Sequence, residues 1–214
     1  MEIPSDFEHP PIRATRASLE SHFRSEAALA LAPLRNPHHE PKVSSQSAAR
    51  AVPAAVLIPI VARGEDLSLL ITRRGPGISF AGHSAFPGGR SDPEDSSPEE
   101  TALREAFEEI GLAPEQVQVI GRLGDYVSHS GFRIVPVVGI TGEPLRLRLH
   151  PGEVEATFEV PLPLALDARS YRLRKRPGTS RAHFYLEYQG HYVAGPTASL
   201  LMNLIEELGK THRE

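Results

Sequence analysis

The sequence predicts one α/β domain behind an N-terminal extension. Three observations carry that reading. From residue 54 onward short apolar and β-branched runs dominate, two amphipathic helical segments interrupt them, and the longest apolar run, AAVLIPIV at 54–61, has the length of a buried strand and contains a proline. The chain has 214 residues, 40% apolar and 23% charged, which is enough to bury a sizeable core with an ordinary globular composition.

Taken in order, residues 1–14 are proline-rich and polar and predict a loosely ordered tail. Thr15 to Leu34 predicts a helix with Leu19, Phe23, Ala27 and Leu31 on one stripe. Residues 35–52 hold prolines, serines and the pair His38 and His39, and read as a loop or linker rather than a metal site. The expected division is therefore an extension over 1–50 with a helix in it, and a domain over 51–214. Within the domain, LSLLIT, VQVIGRL, FRIVPVVGI and EATFEV predict further strands. AHFYLEY and HYVAG, on either side of Gln189 and Gly190, predict a hairpin. The last segment, TASLLMNLIEELG, places Leu200, Leu201, Leu204, Ile205 and Leu208 on a core-facing stripe that stops at Gly209.

Bulk properties exclude several functions. A net charge of -4 argues against binding nucleic acid by bulk charge, and the absence of cysteine removes disulfides, thiolate metal sites and cysteine nucleophiles. No apolar run reaches the roughly 18 residues of a spanning helix, and no targeting signal is legible. The expectation is a cytoplasmic protein with neither a membrane nor a nucleic-acid partner.

The other helical segment, 98–110, carries the chemistry. Ser97 suits the N-cap, Pro98 the first helical position and Glu100 a reciprocal capping box, with Gly111 just past the end. At about 100° per residue, Leu103, Ala106, Phe107 and Ile110 fall on one arc, and Glu105, Glu108 and Glu109 on the opposite one. Glu105 and Glu109 are like charges four residues apart near the negative end of the helix dipole. A divalent cation would relieve that repulsion, and hard carboxylate oxygens suit Mg²⁺ or Mn²⁺ bridging to phosphates. The preceding loop, FPGGRSDPEDSSPEE, lets the backbone at Gly88 and Gly89 approach a ligand closely, so a carbonyl can join the metal shell.

These residues resemble the Nudix hydrolases, whose box ends in the pattern filled here by REAFEEIGL at 104–112. The loop is about one residue longer than the general pattern, and its usual acidic position falls on Ser96. FPGG, then Asp92 and Asp95, then TALRE instead resemble the coenzyme A pyrophosphatase branch. LLITRR, SGFRIVPVVGI, GEVEATFEVPL and HFYLEYQGHYVAGPTA are similar to further stretches of that branch; GPGISFAGHS departs from its basic, histidine-containing loop, and Ala194 stands where a Trp is often found.

The resemblance implies an α/β/α sandwich with a mixed β-sheet and metal-dependent hydrolysis of the pyrophosphate bond of coenzyme A or its derivatives. The products would be adenosine 3',5'-bisphosphate and phosphopantetheine. The alternatives are a Nudix pyrophosphatase acting on ADP-ribose, NADH or another nucleoside diphosphate derivative and, in another class, a non-catalytic module of the same fold, against which the intact carboxylates argue. On this reading Glu105 and Glu109 are direct metal ligands, with Glu108 in the same set and the Gly89 carbonyl nearby. Arg104 orients a carboxylate, and the general base is Glu108, Glu109 or Glu153. Arg74 and Arg133, with Gly88 and Gly89, contact substrate, Arg74 being the first candidate for the 3'-phosphate of coenzyme A. His83 is read as capping a turn.

Overall fold

The computed structural model describes residues 10–25, 43–175 and 182–210. Its centre is a twelve-residue strand, β1 (Val52–Arg63), which is buried on both faces and therefore reads as a continuous apolar run rather than an alternating one. β1 pairs in parallel with β7 (Phe132–Thr141), from Val52 opposite Phe132 to Val61 opposite Thr141. Its other edge is divided: Ala54–Val56 pair with β4 (Gly88–Arg90), and Ile60–Arg63 pair with β2 (Asp66–Arg74). Pro59 stands where the two partners diverge. Leu57 donates to the Pro87 carbonyl on that edge, so the position two residues on faces the same gap, where a missing amide costs no ladder bond.

β2 also pairs with β3 (Ser84–Ala85) and with β8 (Val154–Pro161), and β7 also pairs with β5 (Val117–Arg122) and β6 (Tyr126–Val127). Eight strands thus form one mixed sheet among the described residues. β9 (Tyr171–Lys175), β10 (Ala182–Tyr188) and β11 (His191–Ala194) form a second, antiparallel sheet. The expected hairpin is there, closed by Gln189 and Gly190 at φ 48 and φ 80.

Helices cover both faces of the large sheet. Ala55, Leu57 and Val61 of β1 pack against Ala102, Ala106 and Ile110 of α3 (Pro98–Ile110). Ile58 and Ile60 join Leu200, Leu201, Leu204 and Ile205 of α5 (Pro196–Gly209) on the other side, together with Leu162 of the short α4 (Leu162–Ala165). This is the expected α/β/α sandwich. No helix among the described residues is long and apolar enough to cross a membrane.

The N-terminal region departs from expectation in three respects. Ile12 belongs to the α5-side core at 3% exposure, so the part of the tail that is described is anchored, not loose. The helix α1 (Arg16–Arg24) is capped by Thr15 and ends at Ser25, with Leu19 and Phe23 buried as expected. Ala27, Leu31, His38 and His39 lie outside the described residues. Six residues of the expected linker form α2 (Ser45–Arg50), whose N-cap Ser44 accepts from the Ser47 amide at 3.1 Å. Phe23 seats α1 on β5 at Gly121, where a Cβ would stand 2.6 Å from the ring.

Because Ile12 fills a packed core position rather than a loose tail, Ile12→Ala should destabilise the protein by about 2 kcal/mol or more. Urea unfolding checks this, and a midpoint that does not move would return the segment to the loose-tail reading.

Candidate active site

The helix that carries the three glutamates is fixed at both ends. Ser97 caps it, accepting from the Glu100 amide at 3.2 Å, and Pro98 begins it. The reciprocal half of the capping box does not form, because Glu100 turns back to the Ser96 amide at 2.7 Å and its hydroxyl at 2.5 Å. Gly111 ends the helix in the left-handed conformation at φ 69. Beyond it the chain returns in the 148–153 segment. Arg148 and His150 donate their amides to the Ile110 and Glu109 carbonyls, both at 2.8 Å, satisfying groups that a helix end leaves open. That return brings Glu153 beside α3, and the Gly75 amide donates to the Glu153 carbonyl at 2.7 Å, joining the end of β2 to the same corner.

The faces of α3 differ from the sequence expectation. Phe107 is 54% exposed, and the buried set is Thr101, Ala102, Ala106, Ile110 and Glu109 itself. Glu109 is 6% exposed and accepts from the Gly88 amide at 3.1 Å. Burial pushes its pKa up to about 7. The Gly88 amide and the positive charge of Arg74 oppose that rise, and the charges of Glu105 and Glu153 add to it. Burial also raises Glu105, against the pull of Arg104. Glu105 lies so close to β4 that a Cβ on Gly89 would stand 2.5 Å from its carboxylate.

Arg104 holds this arrangement. Its Nε and Nη2 donate to the two carboxylate oxygens of Asp95 at 3.0 and 2.9 Å. Nη1 donates to Glu105 at 3.0 Å and Glu108 at 3.1 Å, and Nη2 also reaches the Arg90 carbonyl at 3.0 Å. The bond to Arg104 holds the Asp95 carboxyl well below the usual carboxylate range. The repulsion inferred from the glutamate spacing is thus partly answered within the helix by Arg104, four residues before Glu108.

The structure brings Glu105, Glu109, Glu153, Arg74, Arg104, Gly88 and Gly89 to one corner and leaves others at its margin. Glu108 is turned to Arg104 at the exposed rim. Arg133 forms an exposed ion pair with Asp125 at 2.6 Å. Arg74 donates Nε to the Ser79 carbonyl at 2.9 Å while its charge is felt at Glu109. His83 serves the turn: its amide donates to Phe80 at 3.1 Å and its carbonyl accepts from Arg74 at 2.9 Å.

Gly89 requires a correction. Leu57 donating to Pro87 and Ser91 donating to Pro53 fix the alternation of the β1–β4 ladder. Gly89, opposite Ala55, therefore turns its carbonyl to β1, and Gly88 is the residue whose backbone groups face the helix. Asp95 is the residue whose role was missed. Its signal was its place nine residues before Arg104 in a loop that must return to the helix.

Among the described residues no three His, Asp or Glu side chains converge into a set that could hold an ion alone. What the corner offers is a partial set of hard donors: Glu105, the buried Glu109 with only backbone and neighbouring charges to offset it, and the Gly88 carbonyl. An incomplete set of this kind would suit a hard divalent cation that takes its remaining oxygen ligands from outside the protein.

The chain is similar in sequence to known proteins. The NUDIX domain model matches residues 51–175. A Photorhabdus laumondii protein named uncharacterized Nudix hydrolase NudL is 42% identical over 159 residues, covering 72% of this chain and 84% of that one. A Yersinia enterocolitica protein of the same name is 42% identical over 158 residues, covering 72% and 80%.

The pKa of Glu109 has a stability consequence for the metal-free protein. An acid raised from 4.5 to about 7 on folding leaves stability intact below the unfolded value and removes it as pH climbs through the folded one, by on the order of 3 kcal/mol in total. Glu109→Gln should therefore raise the metal-free melting temperature at pH 8 and change it little at pH 4.5. An equal effect at both pH values would show that Glu109 ionises without penalty.

Proposed function

The chain belongs to the Nudix hydrolase family, and we propose that the bond it cuts is the pyrophosphate of coenzyme A or a derivative, releasing adenosine 3',5'-bisphosphate and phosphopantetheine. The observation that carries the hydrolytic reading is the half-buried Glu105 and the buried Glu109 against the Gly88–Gly89 strand, with Glu153 beside both. Coenzyme A is favoured by sequence: FPGG, TALRE, SGFRIVPVVGI and GEVEATFEVPL are each similar to stretches of the coenzyme A pyrophosphatase branch.

A divalent cation, which Nudix hydrolases generally use, supplies neutralisation of phosphate charge when bound. Glu105, Glu109 and the Gly88 carbonyl would hold it, and either Mg²⁺ or Mn²⁺ suits those oxygens. Arg104 keeps Glu105 oriented and is a positioning residue. Water attacks one phosphorus in line with the bond to the bridging oxygen, and that oxygen leaves with the other phosphate. Glu153 is the group proposed to take the water's proton: it neighbours Glu105 and Glu109, yet its side chain is 45% exposed, open to solvent for proton release. Arg74, whose charge reaches Glu109, would meet the pyrophosphate itself rather than the more distant 3'-phosphate.

A second reading, hydrolysis of ADP-ribose or a dinucleotide, is favoured by GPGISFAGHS at 75–84, where the basic residues of the resembling branch are absent. Incubating the protein with coenzyme A, acyl-coenzyme A, ADP-ribose and NADH in Mg²⁺ or Mn²⁺ and identifying products decides between them. The expected outcome is phosphopantetheine release from coenzyme A at the highest kcat/KM. Faster turnover of ADP-ribose or NADH would establish the second reading.

Two substitutions test the assigned roles. Glu153→Gln should lower kcat about 10²- to 10⁴-fold with little change in KM, whereas near-normal kcat would move the base to another carboxylate. Arg74→Ala should weaken coenzyme A and dephospho-coenzyme A alike. A loss confined to coenzyme A would return Arg74 to the 3'-phosphate.

A further inference from the structure

The loop between β2 and β3 holds an aromatic ring that the fold does not use. Phe80 is 62% exposed, although burying a side chain of this size is worth about 1.5 to 3 kcal/mol. Its backbone is left-handed at φ 61, a conformation that for a bulky residue is a genuine outlier. Such strain persists only where the surroundings over-determine it, and here they do. The Phe80 carbonyl accepts from the His83 amide at 3.1 Å, the neighbouring Ser79 carbonyl accepts from Arg74 Nε at 2.9 Å, and Arg74 N and O bond to His83 O and Gly82 N, both at 2.9 Å. The Phe80 ring leans on that of His83, with centroids 5.8 Å apart and planes tilted by 55°. The ring is thus held out from a pinned loop with one side against His83 and much of its surface toward water.

The loop belongs to the mouth of the catalytic corner. It leaves β2 at Arg74, whose charge reaches Glu109. It then passes Gly75, where a Cβ would stand 3.2 Å from the Glu153 backbone, and Gly77, where one would stand 3.4 Å from the Gly152 carbonyl. It returns through β3 directly into the Gly88–Gly89 strand. A substrate with its pyrophosphate at Glu105 and Glu109 carries a flat heterocycle on one side of that pyrophosphate, and an exposed aromatic face on a loop packed against Gly152 and Glu153 is what such a ring stacks on.

We propose that Phe80 is the stacking platform for the adenine base of the substrate, held ready by the Arg74-pinned loop. The assignment rests on the proposed pyrophosphatase activity and adds to it the side of the site on which the nucleoside lies. It also offers a physical account of the unusual 75–84 segment: in place of basic residues that would attract phosphate, the chain presents a flat apolar surface that takes a base.

Product inhibition tests this, because only one product carries a ring. In steady-state hydrolysis of coenzyme A, Phe80→Ala should weaken inhibition by adenosine 3',5'-bisphosphate about tenfold and leave inhibition by phosphopantetheine unchanged, while Phe80→Tyr should restore the first. Phe80→Gly relieves the left-handed strain, so it should match the alanine variant in inhibition while melting at an equal or higher temperature, which separates stacking from folding. Unchanged inhibition by adenosine 3',5'-bisphosphate in a folded Phe80→Ala overturns the proposal, as does weakening by both products together. If ADP-ribose is the substrate, AMP and ribose 5-phosphate replace the two probes with the same expected outcome. Failure of the unmodified protein to hydrolyse any of these nucleotides would sink the proposed function itself, a result distinct from normal hydrolysis with unmoved inhibition.

Discussion

The approach of α3 to β4 is limited by a side chain that Gly89 does not have, since a methyl group there would stand 2.5 Å from the Glu105 carboxylate. Gly88 is under a similar restriction on the other side, where a Cβ would stand 2.4 Å from the Ala55 carbonyl. With both positions bare, the strand fits between β1 and the helix, and a backbone amide comes within 3.1 Å of the buried Glu109. Moving the helix outward to accommodate a larger residue would carry Glu105 and Glu109 away from the backbone that faces them. The same displacement would strain the return segment, whose Arg148 and His150 amides bind the last helix carbonyls and so set where Glu153 stands.

Electrostatics at the corner then follow from having one guanidinium for several carboxylates. Arg104 is fully engaged by Asp95, Glu105, Glu108 and the Arg90 carbonyl. Its closest pair of bonds goes to Asp95, which ties the loop to the helix and leaves Glu105 only part of the charge. Glu109 lies beyond its reach, offset by a backbone amide and by the more remote Arg74. Removing water from a carboxylate without supplying a full counter-charge raises its proton affinity, and the elevated pKa of Glu109 expresses that imbalance. On the proposed function a cation at this corner would compete with that proton, the balance being set by pH and cation concentration.

Much of this was legible in the sequence, because the signals were local. The α3 boundaries followed from Ser97, Pro98 and Gly111; the strands followed from apolar runs bounded by turns; and the hairpin followed from Gln189 and Gly190. What escaped was tertiary. Helical periodicity put Phe107 in the core and Glu109 outside it, yet the helix is rolled so that Glu109 faces β4 and Phe107 faces solvent. Periodicity identifies an apolar arc but not which neighbour lies across it. Which of two adjacent glycines turns its carbonyl outward depends on the register with β1, and the role of Asp95 depends on where the loop folds back. Ile12 looked expendable in a proline-rich tail because the core cluster it joins is assembled mostly from elements far along the chain, α5 among them.

The division of the β1 edge explains how chemistry and recognition are kept apart. β4 pairs with the first part of β1 and β2 with the last part, and Pro59 stands at the gap between them. The Gly88–Gly89 strand and α3 are therefore braced on β1 directly, whereas the 75–83 loop is hung from the far end of β2 and held by Arg74. On the proposed assignment, changes in that loop would alter what faces the substrate without loading the contact between Gly89 and Glu105. Arg74 is the exception: it pins the loop through Ser79 and contributes charge to Glu109. A single side chain thus couples the shape of the recognition loop to the proton affinity of the buried glutamate, and the loop can vary freely only in residues that leave the Arg74 anchor intact.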